Sequence, residues 1–306
     1  MSTSDRTDVL IVGGGPAGLG AALTFARAGK SAIVCDAGAP RNTRATVMHG
    51  YPGADGIPPA ELRARARAEL AHYPSISFRE ARVAGIDRVG GELVASLGKA
   101  GEVRARRVLL ATGIVDGLPK LEGFADAWGR SVFDCPYCHG YEHRGEAWGF
   151  VAPKVAGIRT VLSYLAWTRD MIVFTDGFTL DLPADIRREL EHAKVRLEPR
   201  KMVRLVVEGD ALQGVEVEGG EVVARRALVY HPQARPSDLA LMLGLAQDGG
   251  FVKIDPRTRE TSLRGVHACG DLVANGMKAL LAAADGMHAA QMLTEQLTLE
   301  DVLGAR

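Results

Sequence analysis

Asp8-Val9-Leu10-Ile11-Val12-Gly13-Gly14-Gly15-Pro16-Ala17-Gly18 is an apolar run that meets a G-x-G-x-x-G turn. A helix-like segment follows over residues 19–28, Gly29 stops it, and a second strand over 31–35 ends at Asp36. Strand, glycine turn, helix and a second strand closed by an acid together make the βαβ signature of a dinucleotide-binding module. The glycines let backbone approach a pyrophosphate, the helix N-terminus lends partial positive charge, and a carboxylate accepts from ribose hydroxyls. Gly13, Gly15, Pro16, Ala17, Gly18 and Asp36 are therefore candidate cofactor-binding residues.

Residues 37–55 form a loop rich in Gly, Pro, Asn and Arg, long for a connector and thus a functional candidate; it carries Arg41 and His49. The spacing of Leu62, Ala66 and Leu70 predicts a helix over 59–72. Strands are expected over 77–82, 85–89 and 93–97, the last two parted by Gly90-Gly91, and over 103–111, which delivers Thr112-Gly113. Residues 118–123 carry Pro and Gly and mark a domain boundary. Beyond it, a strand over 147–151, a helix over 158–168 and a strand over 171–174 outline a second βαβ unit.

The turn of that second unit, Val151-Ala152-Pro153-Lys154-Val155-Ala156-Gly157, departs from the first. It lacks glycine where a phosphate would lie against backbone, and Pro153 removes an N–H donor. The following strand ends in Thr175-Asp176-Gly177, with no arginine cluster for a 2′-phosphate. A helix over 185–193, a small antiparallel sheet over 203–208, 214–218 and 221–224, and a strand over 227–230 come next, with the return crossing near Pro232 and Pro236. Strands over 251–254 and 265–268 lead into Cys269-Gly270-Asp271, and an alanine-rich helix over 277–297 follows. The fold class expected is α/β.

Between the two βαβ units lies Phe133-Asp134-Cys135-Pro136-Tyr137-Cys138-His139-Gly140-Tyr141-Glu142, a C-x-x-C pair followed at once by histidine. Such a pair closes into an easily reduced disulfide, and its thiolate has a depressed pKa. His139 has an intrinsic pKa suited to taking thiol protons near neutral pH, and Glu142 stands close enough to orient or assist it. With 306 residues the protein is long enough for two domains. Its 37 basic and 37 acidic residues balance, so no global field draws in nucleic acid or anionic lipid. No stretch approaches a membrane span, and the polar start shows no secretory h-region. Four cysteines are too few for a disulfide scaffold, which points to a reducing, cytoplasmic setting and a catalytic pair.

The glycine turn at Gly13–Gly18, Ala111-Thr112-Gly113 after a strand, Cys269-Gly270-Asp271 and the mid-sequence C-x-x-C occur in the order seen in low-molecular-weight thioredoxin reductases. The protein resembles that FAD family over essentially its whole length. The resemblance implies two Rossmann-like three-layer domains and a homodimer. FAD would be held in a split domain, residues 1–115 and 243–306, around a central pyridine-nucleotide-like domain, 116–242, whose nucleotide motif is degenerate. It also implies a flavin pocket that includes Arg41, Val83 through its backbone, Ala111, Thr112, Gly113 and Asp271 on the ribityl group. Lys278 falls where the family faces the flavin's pyrimidine edge, with a solvated helix-start lysine as the bland alternative. His49 is a candidate for contact with flavin or substrate, or else fills a turn.

Within the family, Cys-Pro-Tyr-Cys-His-Gly-Tyr-Glu is similar to the dithiol oxidases of gliotoxin and holomycin type, since reductases usually carry Asp where His139 stands. That subgroup implies a small natural-product dithiol as substrate, attack at Cys135, transfer of electrons through Cys138 to FAD, and O2 as acceptor, giving H2O2. An NADPH- or ferredoxin-driven disulfide reductase and a non-enzymatic flavoprotein are the competing readings. C-x-x-C-H also matches a c-type haem attachment, which needs export. Cys135, Cys138, His139 and His143 are too tightly spaced for a usual zinc site, so no metal is expected. A purely structural cysteine pair is the plainest alternative. His231 and His267 read as structural histidines, Cys35 and Cys269 as buried small residues, and the tryptophans as core or dimer contacts.

Overall fold

The structure, a computed structural model, describes residues 5–273 and 276–304. Of the expected domain ranges, residues 1–4, 274–275 and 305–306 lie outside the described set. The protein divides into two compact units, Met1–Thr43 with Tyr51–Asp116 and Ala234–Arg306, and Arg44–Gly50 with Gly117–Gln233. The sequence reading drew its boundaries at 115/116 and 242/243; the units part at 116/117 and 233/234, and residues 44–50 go with the second unit.

The first unit opens with β1 (Asp5–Val12), α1 (Pro16–Arg27) and β2 (Ala32–Cys35). Val9, Leu10 and Ile11 are fully buried, each worth roughly 1.5–3 kcal/mol relative to exposure. Helix α1 starts earlier than the sequence reading placed it, because Pro16 at its first position has φ already set for a helix and no N–H to lose. Then come α2 (Pro59–Leu70), β3 (Ile76–Arg79), β4 (Gly85–Val89), β5 (Glu92–Ser96) and β6 (Glu102–Leu110). The sheet order is β3-β2-β1-β6-β5-β4. β3, β2, β1 and β6 are parallel neighbours, and β4 and β5 form the antiparallel hairpin predicted from Gly90-Gly91.

β7 (Ile114–Gly117) leads into the second unit, which contains α3 (Phe124–Ala127), β8 (Val132–Phe133), α4 (Pro136–His139), β9 (Trp148–Val151), α5 (Val161–Tyr164) and β10 (Met171–Phe174). It continues with α6 (Ala184–His192), β11 (Arg196–Glu198), β12 (Met202–Glu208), β13 (Ala211–Val217), β14 (Val222–Ala224) and β15 (Ala227–Val229). A five-stranded parallel sheet runs β11-β10-β9-β15-β8, and β12–β14 form the expected antiparallel meander. The helix expected over 158–168 is much shorter. A 3-10 turn, Ile158–Thr160, precedes α5, and Thr168 leaves the helix to donate to the Glu146 carbonyl and accept from Asp170 N–H. Those two bonds fix the entry into β10.

β16 (Gln233–Pro236) and α7 (Asp238–Met242) begin the return, followed by the hairpin of β17 (Gln247–Asp248) and β18 (Phe251–Val252), then β19 (Val266–Ala268) and α8 (Ala279–Leu303). β19 pairs in parallel with the C-terminal half of β6, completing a seven-stranded sheet. Helices α1 and α8 approach closely because positions 20 and 286 are glycine. A Cβ on Gly20 would lie 2.6 Å from the Ala283 carbonyl oxygen, and one on Gly286 would overlap that of Ala17. The buried apolar clusters each stay within one unit, on the two faces of each sheet. Both units thus have the three-layer α/β character expected of a Rossmann-like fold.

Candidate functional site

The functional residues fall into two groups, one in each unit. In the first, the carboxyl ends of β1, β2, β6 and β19 lie side by side, where a doubly wound sheet binds its ligand. The turn after β1 is built around its glycines. Gly13 has φ +113° and donates its N–H to Cys35 O at 2.8 Å. A Cβ there would overlap the Ala111 carbonyl oxygen, and one on Gly18 would overlap that of Gly13. Gly15 borders open space and serves as N-cap of α1, whose first turn holds no acidic residue and receives no capping bond from a side group. The first amides of α1, apart from Pro16, are left to an anion. These features fit the pyrophosphate of a dinucleotide.

The other expected cofactor residues, His49 apart, also lie in the first unit. Ala111 N–H donates to Val12 O at 2.8 Å, Thr112 Oγ1 lies 2.7 Å from Ser237 Oγ, and Gly113 has φ +62°. Val83 is buried. Arg41 Nε donates to Asp116 Oδ2 at 2.8 Å, and the other Asp116 oxygen is buried with no hydrogen-bond partner among the described residues. Burial pushes the Asp271 carboxyl above the usual range, with Arg41 opposing and Asp116 and Asp285 adding to the rise. Lys278 is the N-cap residue of α8. Asp36 is already engaged: Oδ2 accepts from Arg67 at 2.6 Å and Oδ1 from the Gly38 N–H at 3.0 Å, which fixes the carboxylate's orientation. Arg67, one of the three arginines of α2, is thus a neighbour of the candidate ribose-binding acid.

In the second unit Cys135 and Cys138 are joined by a disulfide, Cα atoms 5.3 Å apart. Cys135 caps α4, the single helical turn Pro136–His139, which starts directly beyond the carboxyl end of β8. Gly140 must be glycine, since a Cβ would lie 2.5 Å from Pro136 O and 2.8 Å from Trp148 Cη2. Trp148 is fully buried, stacks on Trp167 at 6.2 Å, and donates from its indole to His143 O at 2.8 Å.

His139 stacks on Phe133 with ring centroids 5.4 Å apart. Both its ring nitrogens are buried, with no hydrogen-bond partner among the described residues. Burial is the main cause holding its pKa below the ordinary histidine value; the nearby Cys135 carbonyl and Glu142 work against this, His143 and His49 with it. His49, expected at the cofactor, belongs to the second unit, where its Nε2 lies 3.4 Å from Glu142 Oε1. His143 Nδ1 lies 2.8 Å from Glu146 Oε2. A buried imidazole one residue after Cys138, with the Glu142 carboxylate acting on it electrostatically, is of the kind that accepts protons from thiols. Among the described residues no group of His, Cys, Asp or Glu is set to hold a metal ion, and none forms a helix long and apolar enough to cross a membrane.

The turn that would bind a second nucleotide differs from the first. The Ala152 N–H is spent on Phe174 O at 2.9 Å, Pro153 has none, and Ile158 N–H bonds to Val155 O within the turn.

Residues 7–162 match the model of the pyridine nucleotide-disulphide oxidoreductase family. The protein is 35% identical to thioredoxin reductase tcpT of Claviceps purpurea (strain 20.1), covering 100% of this sequence and 98% of that one. It is 31% identical to thioredoxin reductase sirT of Leptosphaeria maculans, covering 92% and 91%. Among solved structures, HlmI superposes with a TM-score of 0.89 at 34% identity over 100% of this protein and 96% of that one. A putative thioredoxin reductase TrxB from Bacillus anthracis superposes with a TM-score of 0.90 at 27% identity, over 96% and 99%.

Proposed function

Because the chain belongs to the pyridine nucleotide-disulphide oxidoreductase family, flavin-dependent oxidoreductases that hold FAD, we propose that it is an FAD-dependent dithiol oxidase. Its substrate is a small natural-product dithiol, which it closes to a disulfide, and its acceptor is O2, which becomes H2O2. Residues 1–115 and 243–306 form the FAD-binding domain, and 116–242 the domain of the redox pair. The enzyme works as a homodimer in a reducing cytoplasm. One observation carries the reading: Cys135 and Cys138 are joined by a disulfide, and the residue that directly follows Cys138, His139, has buried ring nitrogens with no hydrogen-bond partner among the described residues.

The first substrate thiol gives its proton to His139, and the thiolate attacks Cys135 Sγ. The Cys135–Cys138 bond breaks and Cys138 leaves as a thiolate. The substrate's second thiolate then attacks the mixed disulfide, forming the substrate disulfide and releasing Cys135. The second substrate thiol passes its proton to the Cys138 thiolate before it attacks, so two electrons and two protons have left the substrate: the electrons are on the reduced Cys135–Cys138 pair, one proton is on His139 and the other on a sulfur of the pair. Glu142 stabilises the protonated imidazole and is itself oriented by His49. FAD, which the glycine turn at Gly13–Gly18 would hold by its pyrophosphate, would supply the two-electron acceptor for the reduced pair, with O2 as the final acceptor.

A second reading, a disulfide reductase driven by NADPH or a ferredoxin-type donor, draws on the relatives' name, thioredoxin reductase. The turn at 152–157 counts against NADPH, because the Ala152 amide is spent on Phe174 O and Pro153 has none. Mixing the purified protein anaerobically with NADPH, and separately with dithiothreitol, decides between them. The oxidase is expected to bleach with the dithiol only and to release peroxide when air is admitted. Rapid bleaching by NADPH would overturn it.

A further inference from the structure

In the first unit, the backbone leading into β19 is held in a costly shape. Arg259 has φ +62°, a left-handed conformation that glycine adopts freely and arginine does not. It is fastened there: its N–H donates to Asp255 O at 2.8 Å, and its carbonyl accepts from the Ala268 N–H of β19 at 3.1 Å. Asp255 Oδ1 in turn accepts from the Arg257 and Thr258 amides at 2.8 and 2.9 Å. The Arg259 side chain is buried, and its Nη2 donates to Asp285 Oδ2 on α8. A non-glycine residue kept left-handed by its surroundings points to a use for what it carries.

Asp285 Oδ2 accepts a second bond, from the Gly270 N–H at 2.7 Å. Gly270 opens the 3-10 turn Gly270–Leu272, which carries Asp271. The same turn rests on α1, since a Cβ on Gly270 would lie 2.8 Å from Ala17 Cβ. Asp285 acts electrostatically on Asp271, adding to the rise of its pKa, and on the buried Cys269 thiol, where Arg259 opposes it. One carboxylate thus joins the guanidinium, the turn and α8. We infer that Arg259 and Asp285 are positioning residues for the cofactor: together they fix the turn at Gly270 and so set Asp271 for the ribityl group of FAD. A carboxylate held by a guanidinium keeps one orientation and accepts a stronger bond from an amide than a loose one. Glycine at position 259 would suit the backbone better but would bring no guanidinium to Asp285.

The inference rests on the reading of Asp271 as the ribityl ligand, so the test varies both. Full-length holoprotein is diluted into buffer and the release of FAD is followed by flavin fluorescence, thermal melts reporting folding. Arg259→Gly relieves the backbone while deleting the guanidinium, and should release FAD about tenfold faster than wild type. Arg259→Met, which keeps the backbone strain but has no donor, should match it and decides the question if the glycine variant does not fold. Arg259→Lys, whose ammonium can replace the one donor used, should stay within about threefold of wild type. Asp271→Ala should also release about tenfold faster. Adding Arg259→Gly or Arg259→Met to it should change the rate by less than about twofold, because the pair acts through a carboxyl already gone. A wild-type rate in the glycine or methionine variant overturns the inference, as does a lysine variant as fast as they are. So does a double variant in which the two factors multiply, which is what a merely structural clamp would give. A wild-type rate in Asp271→Ala would overturn the reading of Asp271 itself, and the inference with it.

Discussion

His139 combines the two properties a thiol-proton acceptor needs, a ring kept neutral by burial and no hydrogen bond from the described residues to compete for its nitrogens. His139→Gln is therefore expected to slow bleaching of the flavin by dithiothreitol by about a hundredfold or more, measured anaerobically by stopped flow. The same depressed pKa has a consequence for stability. In the folded protein His139 binds its proton only below the ordinary value of 6.5, so the unfolded state holds more protons through that window. Stability contributed by the neutral ring is present above pH 6.5 and falls as the pH drops below it. The urea midpoint of wild type should fall more between pH 7 and pH 5 than that of His139→Gln; equal falls would show that the ring does not titrate as described. The importance of His139 could be read from its place after the second cysteine. That of Arg259 could not: its meeting with Asp285, on α8, exists only in the fold. His49 was visible as a candidate, but its loop gave no sign that it would sit with Glu142 in the unit of the disulfide.

At the scale of elements, the strongest sequence signals were those in which every residue agreed on one geometry. β1, α1 and β2 follow from the apolar run, the glycine turn and the closing acid, and the β4–β5 hairpin follows from Gly90-Gly91. β8 and α4 escaped notice because two residues of strand and one turn of helix are shorter than any periodicity that would mark them. α5 is shorter than its sequence suggests, ending at Tyr164, and the Thr168 bond to Glu146 that fixes the entry into β10 comes from outside the element. The close packing of α1 and α8 was equally invisible, since Gly286 looks like an ordinary glycine in an alanine-rich helix. Its missing Cβ lets α8 rest on the Ala17 carbonyl, one residue from Gly18 of the phosphate turn. Gly286→Ala should push α8 outward and cost about 1–3 kcal/mol. Because the displaced residue lies in the turn proposed to hold FAD, the purified variant should also retain less FAD, read as the ratio of flavin to protein absorbance. Full retention with unchanged stability would mean that the helices accommodate the methyl group by sliding.

For the molecule as a whole, the consequence of two separate cores is that FAD should stabilise one unit far more than the other. The phosphate turn, the 111–113 segment and Asp271 all lie in the first unit, whereas the three tryptophans, Trp128, Trp148 and Trp167, all lie in the second. Trp148 and Trp167 pack beside the disulfide loop, and Trp128 stacks on Phe124 at 5.5 Å, so tryptophan emission reports the second unit alone. A ligand stabilises the fold that binds it by an amount set by its concentration relative to its dissociation constant, about 2.7 kcal/mol at a hundredfold excess. Stripping FAD should accordingly lower the urea midpoint of the first unit, followed by hydrogen exchange of β1 and β6 amides. The midpoint followed by tryptophan emission should barely move. Quenching by the flavin changes the intensity of that emission but not the midpoint, which is why the midpoint is the quantity to compare. If both midpoints fell together on FAD removal, the two units would unfold as one, and the separation of their apolar clusters would not carry over into separate stabilities.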